Sequence, residues 1–226
     1  MRFKNLLLWD MKFQKRYGFY LLYGILTVFY VVLLCSMPQS WKENAAALLI
    51  YSDPAAMGLF FMGAIILLEK SQRVTSFFAV SPICVWEYVC AKVFSLSMIA
   101  LLVAAVLAIV ANHKSLSLLL TGTLLSSVLF TLSGMIIATK ITSLNQFILA
   151  TVPVEILAFV PAVLHLFDIT PDFLRCYPSN ACMDLIAGRA CSKTGLMLTV
   201  GLIVILFWIA FRCVCKMWQT EGGVKL

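Results

Sequence analysis

The chain has 226 residues, 62% of them hydrophobic and 12% charged, with a formal net charge of +7. Mean hydropathy is +1.00, more apolar surface than a soluble domain of this length can bury, so the solvent is lipid. The basic residues form no continuous patch, which excludes nucleic acid as a partner; at membrane edges such residues fix orientation instead.

Residues 1–16, "MRFKNLLLWDMKFQKR", place Phe3, Leu6, Leu7, Trp9 and Phe13 near one helical face. Lys and Arg lie largely elsewhere, the pattern of an amphipathic helix in the membrane interface. An apolar run over 17–37 follows. It is longer than a signal-peptide core and no small-residue cleavage site follows it, so it is read as the first span.

About 20 apolar residues cross the hydrocarbon core, and five further runs qualify. Span two begins near Asp53-Pro54, an N-cap followed by Pro at the first helical position, and ends at Leu68. Alternatively it reaches back through "AAALLIYS" with the proline as a kink. Spans three to six cover 88–111, 116–139, 146–166 and 195–215. The expected fold class is therefore an all-α membrane protein with six transmembrane helices in a single domain, 1–226.

Six spans place both termini on one side. Twelve Lys and Arg flank that side and five (Lys42, Lys114, Arg175, Arg189, Lys193) the other, so both termini are expected in the cytoplasm. The segment between spans two and three is then cytoplasmic. In it, Val74, Phe77 and Phe78 follow i, i+3, i+4 spacing, with Ser71, Gln72, Arg73, Thr75 and Ser76 on the remaining surface. Ser81-Pro82 is expected to cap and restart a helix, and Trp86, Tyr88 and Lys92 to anchor it at the headgroups. This segment is either an interfacial loop or a docking surface for a cytoplasmic partner.

The loop at 167–194 is the longest on the other side, and its polar–apolar alternation predicts short helices dipping into the interface. It holds Cys176, Cys182 and Cys191, enough for one disulfide with one thiol left over. The eight cysteines make no metal pattern, and Cys213-Val-Cys215 reads as apolar filler.

No enzyme motif emerges: the two histidines, His113 and His165, stand far apart, and neither a metalloprotease helix nor a serine elbow is present. Glu155 is the carboxylate well inside a predicted span, between Pro153 and Pro161, each of which removes a backbone donor. It is either a polar point on a translocation path or a carboxyl hydrogen-bonded between helices.

Glu69-Lys70, Val80-Ser81-Pro82, Trp86-Glu87-Tyr88 and Lys92 together resemble the "EK…G…L.VSP…WEY…K" stretch of ABC-2 type transporter permeases. Arg73-Val74 stands where many relatives resemble Gly-Thr, and Asn145 in "SLNQFILA" resembles an Asn of small drug- and peptide-export permeases. The resemblance implies that residues 1–16 are an interfacial elbow helix. It implies that 70–87 is a coupling segment whose Arg73, Val74, Phe77, Phe78, Ser81 and Pro82 dock on a separate ATP-binding subunit. It further implies that 167–194 holds re-entrant helices, and that Glu155, Asn145, Pro153 and Pro161 are candidates for the translocation path. ATP and Mg would be bound by the partner subunit and no cofactor by this chain. A second permease subunit, identical or not, would complete an exporter of an amphipathic drug, antibiotic or peptide in the plasma membrane. Two other readings stay open: a non-transporting sensor, immunity or assembly subunit, and an ion-coupled transporter using Glu155.

Overall fold

The computed structural model describes residues 2–52, 56–81, 83–171 and 174–222. The Asp53-Pro54 start expected for span two lies outside the described residues, as does Pro82.

In chain order the helices are α1 (Arg2–Arg16), α2 (Phe19–Ser36), α3 (Gln39–Ile50), α4 (Met57–Ser71), α5 (Val74–Val80), α6 (Val85–Val110), α7 (Leu116–Lys140), α8 (Leu144–Leu166), α9 (Pro178–Ile186) and α10 (Lys193–Gly222). No strand occurs among the described residues. Five of the helices, α2, α6, α7, α8 and α10, are long and apolar enough to cross a membrane. They coincide with five of the six expected spans. The expected second span is not one long helix. Its C-terminal part is α4, whose 15 residues reach about 22 Å at 1.5 Å per residue, short of a ~30 Å hydrocarbon core. Its N-terminal part belongs to α3, which runs on into a π-type turn at Tyr51 and Ser52.

Helix α7 is the centre of the bundle and packs on α4, α6, α9 and α10. Without a hydrophobic drive between helices in lipid, close approach depends on small residues. Gly58 and Gly134 supply it reciprocally. A Cβ on Gly134 would lie 2.4 Å from the Leu59 carbonyl oxygen, and one on Gly58 would lie 2.5 Å from Thr131 Oγ1. Leu59, Met62 and Ile66 of α4 and Leu132 and Met135 of α7 are fully buried. Gly63 leaves room for a ring: its Cβ would fall 2.0 Å from Phe147 Cζ of α8.

Helix α8 carries Pro153 and Pro161 inside it. Pro161 has no N–H for the Leu157 carbonyl four residues back. The Tyr177 hydroxyl, just before α9, donates to that carbonyl at 3.1 Å. One residue on, the Ala158 carbonyl accepts from the Tyr51 hydroxyl at 3.1 Å.

Candidate functional site

The charged stretch at 69–92 folds into a joint between α1, α4, α5, α6 and α7. On α1, Leu6, Asp10, Phe13 and Gln14 are buried. Their spacing of four, three and one puts them on one face, so Asp10 is carried inward. Lys92, about two turns into α6, meets it there. Lys92 Nζ donates to Asp10 Oδ1 and, at 2.5 Å, to Glu69 Oε1 of α4. Glu69 Oε2 accepts from the Tyr88 hydroxyl at 2.6 Å. Asp10 Oδ2 accepts from Ser95 Oγ and from Gln14 Nε2 at 2.8 Å. Asp10, Glu69 and Lys92 are each 2% exposed or less. Every carboxylate oxygen has a donor, which is the condition for keeping charge in a dry site.

This corrects the expectation that Tyr88 and Lys92 anchor α6 at the headgroups. Both are buried, because Asp10 and Glu69 offer a buried ammonium two counter-charges. Trp86 alone of that trio is exposed, at 57%.

The neighbouring Lys70 turns the other way. Its Nζ donates to the carbonyls of Ala138, Thr139 and Ile141 at 3.0, 2.9 and 3.0 Å. These are C-terminal carbonyls of α7 and its exit, which have no intrahelical partner, and a cation there also meets the negative end of the helix dipole. Glu87 closes the start of α6: its Oε2 accepts from the Cys84 N–H at 3.1 Å. The expected restart at Ser81-Pro82 therefore moves three residues on. Ser81 ends α5 instead, its hydroxyl donating to the Phe78 carbonyl at 3.0 Å.

Between α4 and α6 the chain turns sharply at Arg73, which has φ 56 and ψ 23. That is the left-handed region, and the turn aims α5 across the end of the bundle. Phe78 faces inward and is 4% exposed, with ring centroids 5.5 Å from Trp9, 5.5 Å from Tyr88 and 6.0 Å from Trp218. Phe77 faces outward at 65% exposure. The docking residues expected as a group thus divide: Arg73 and Phe77 are exposed, Val74 and Ser81 half-buried, and Phe78 part of the core. A groove of about 640 Å³ lies between α1 and α5, lined by Asn5, Leu6, Trp9, Arg73, Val74 and Phe77 among others.

The four path candidates lie along α8, not around one cavity. Asn145 and Pro153 are exposed, and Glu155 and Pro161 half-buried. Glu155 makes no hydrogen bond or ion pair with the described residues. The cavity of about 210 Å³ between α7, α8, α9 and α10 is lined by Val154, Leu157 and Ala158 of α8 and by Tyr51, Phe130 and Tyr177. Glu155 is not on its wall.

At the other end of α8, His165 Nε2 lies 3.0 Å from Asp184 Oδ1 of α9, and Nδ1 lies 3.1 Å from Thr170 Oγ1. Arg189 donates to Asp168 at 3.3 Å and to the Leu166 carbonyl at 3.0 Å. Burial pushes the Asp184 carboxyl above its ordinary value, against the opposing pull of His165 and Arg189. Cys176, Cys182 and Cys191 are free thiols. A short helix was expected in this loop, and α9 is that helix, with all its residues from Ser179 to Ile186 buried.

The model of the fluoroquinolones export permease protein family matches residues 1–219. The chain belongs to that family. It is similar to the fluoroquinolones export permease proteins of Mycobacterium tuberculosis strains CDC 1551 / Oshkosh and ATCC 25618 / H37Rv. Each is 31% identical over 105 residues, which cover 46% of this chain and 44% of the relative. The chain thus matches less than half the length of these curated relatives. An export-permease family together with five apolar helices makes it a multi-pass protein of the cell membrane.

Within this family member, the pairing partners of the charged stretch were not found from sequence. Asp10 gave one signal: it is the lone acid among five basic residues in 1–16. A lone acid on the apolar face of a basic interfacial helix calls for a buried cation. Tyr51, Ser95, Tyr177 and Trp218 gave none.

Proposed function

We propose that this chain is the membrane subunit of an ATP-driven exporter of the ABC-2 type, and that α5 is the surface on which a separate ATPase subunit docks. The observation that carries the reading is the mounting of α5. A seven-residue helix presents Phe77 and Arg73 outward, while Phe78 locks it to Trp9, Tyr88 and Trp218. The Asp10–Lys92–Glu69 joint ties its base to α1, α4 and α6. A push on Phe77 is thereby delivered to three helices at once, since closely packed buried contacts transmit strain. ATP and Mg belong to the partner in this reading, and a second permease subunit completes the path.

The cargo we propose is an amphipathic drug of the fluoroquinolone kind, in line with the family to which the chain belongs. Glu155, half-buried on α8 without a partner among the described residues, is the polar group we assign to the path, with Asn145, Pro153 and Pro161 on the same helix. The six-span count also belongs to this reading: α3 and α4 act together as one interrupted span.

The test is capture of the tagged full-length chain from native membranes, assayed for ATPase activity and for fluoroquinolone accumulation in whole cells. The expected result is an associated ATPase and lowered accumulation, both lost in Phe77→Ala at unchanged protein level. If no ATPase accompanies the chain and Phe77→Ala exports normally, the reading fails.

A further inference from the structure

On the lipid side of the bundle, Trp86 of α6 and Ile203, Val204, Phe207, Trp208 and Phe211 of α10 line a groove of about 540 Å³. Its wall is built rather than accidental. Trp86 and Phe207 pack with ring centroids 4.5 Å apart, while Val204 and Trp208 stay 63% and 59% exposed.

One end of the groove is charged. Arg212 stacks on Trp208, its guanidinium carbon 5.0 Å from the ring centroid. That contact holds the fork at the groove's rim without consuming its N–H donors. Lys216 follows one turn later on the same face of α10. Both are exposed, and neither makes an ion pair with a described residue. Nearly three turns past Trp208, Trp218 packs on Phe78 of α5. Arg212 and Lys216 therefore lie at the same membrane edge as α5, where headgroups begin.

We infer that this groove is a binding site for an anionic phospholipid, its phosphate held by Arg212 and Lys216 and an acyl chain lying along Trp86, Val204 and Phe207. An apolar slot alone accepts any lipid tail. Two cations one turn apart at its headgroup end, without an ion-pair partner among the described residues, select a net-negative headgroup over a zwitterionic one. The site needs only the membrane location and stands apart from the docking of an ATPase.

The test uses the full chain in nanodiscs of phosphatidylcholine, with brominated phosphatidylglycerol or brominated phosphatidylcholine added at equal mole fraction. Bromine on the acyl chain quenches Trp86 and Trp208 where it enters the groove. Wild type should favour phosphatidylglycerol by about tenfold or more, from roughly fivefold per cation near the surface. Arg212→Gln with Lys216→Gln should bring the two lipids level. Val204→Phe, which fills the slot at an exposed position without adding a fluorophore and leaves the cations in place, should weaken quenching by both. Equal quenching by the two lipids in wild type overturns the assignment, as does a preference that survives the double substitution. So does cross-linking of Val204→Cys to a second copy with no quenching, which would make the groove a chain–chain interface.

Discussion

Lys92 donates to Glu69 at 2.5 Å in a place from which water is excluded, both side chains being 2% exposed or less. With Asp10 on the other side of the ammonium, one buried cation serves two carboxylates from different helices. Removing the cation leaves both uncompensated. Lys92→Met should cost about 3–5 kcal/mol, read as a lowered unfolding temperature in detergent. The neutral triple change Asp10→Asn, Glu69→Gln, Lys92→Met should recover most of that loss. A single Lys92→Met as stable as wild type would remove the joint from the account.

Lys70 bonds three carbonyls where α7 ends. Lys70→Met should free them, cost about 1–2 kcal/mol and speed deuterium exchange over residues 136–142. Lys70→Arg should restore part of the protection. Unchanged exchange in Lys70→Met would show that water serves those carbonyls equally well.

Helices α4 and α7 touch through Gly134. Gly134→Ala puts a methyl against the Leu59 backbone, which cannot rotate away, and should cost about 1–3 kcal/mol. Gly24→Ala, where a Cβ meets nothing within 4 Å, should leave the unfolding temperature unchanged. Equal behaviour of the two variants would contradict the close approach.

Adjacent phenylalanines of α5 should separate stability from activity. Phe78→Ala empties a core position and should cost about 3–5 kcal/mol. Phe77→Ala should unfold at the wild-type temperature and lose export. Export retained in a normally folded Phe77→Ala would count against α5 as the docking surface.

Asp184 gives a pH dependence. Its folded-state value is raised by burial, so the folded chain binds more protons than the unfolded one between the ordinary Asp value and the raised value. Stability from this group is complete below the ordinary value and falls as pH rises through the raised one. Wild type should therefore gain unfolding temperature relative to Asp184→Asn as pH is lowered from neutral toward 4. A difference that stays flat, or runs the other way, would show that His165 outweighs burial.

Long apolar runs were legible because lipid imposes one rule, about 20 residues of helix per crossing, and five spans fall where hydropathy puts them. The second crossing was not. Apolar content marks a membrane segment but does not report where one helix gives way to another, here α3 to α4. Inside the charged stretch, i, i+3, i+4 spacing located α5 correctly but could not rank Phe77 against Phe78. Both lie on the apolar arc, and Trp9, Tyr88 and Trp218, from three other helices, decide which one is covered. The motif residues were legible as a set but not in their tasks, since Lys92 and Lys70 act on partners from α1 and from the end of α7, while Glu69 pairs with Tyr88 and Lys92 of the motif itself. Arg73 is instructive here. It occupies a left-handed turn at the position where the motif it resembles carries Gly, the residue best suited to that conformation.

Proline at 161 left one carbonyl of α8 to be satisfied by Tyr177, twenty positions further on. That hydroxyl belongs to the segment leading into α9, so a helix within the lipid borrows part of its backbone bonding from a loop outside it. Loops normally vary freely in length, but this one cannot. Any insertion or deletion between 167 and 176 that displaces Tyr177 strips a membrane-embedded carbonyl of its donor, and the helix must answer for a change made elsewhere.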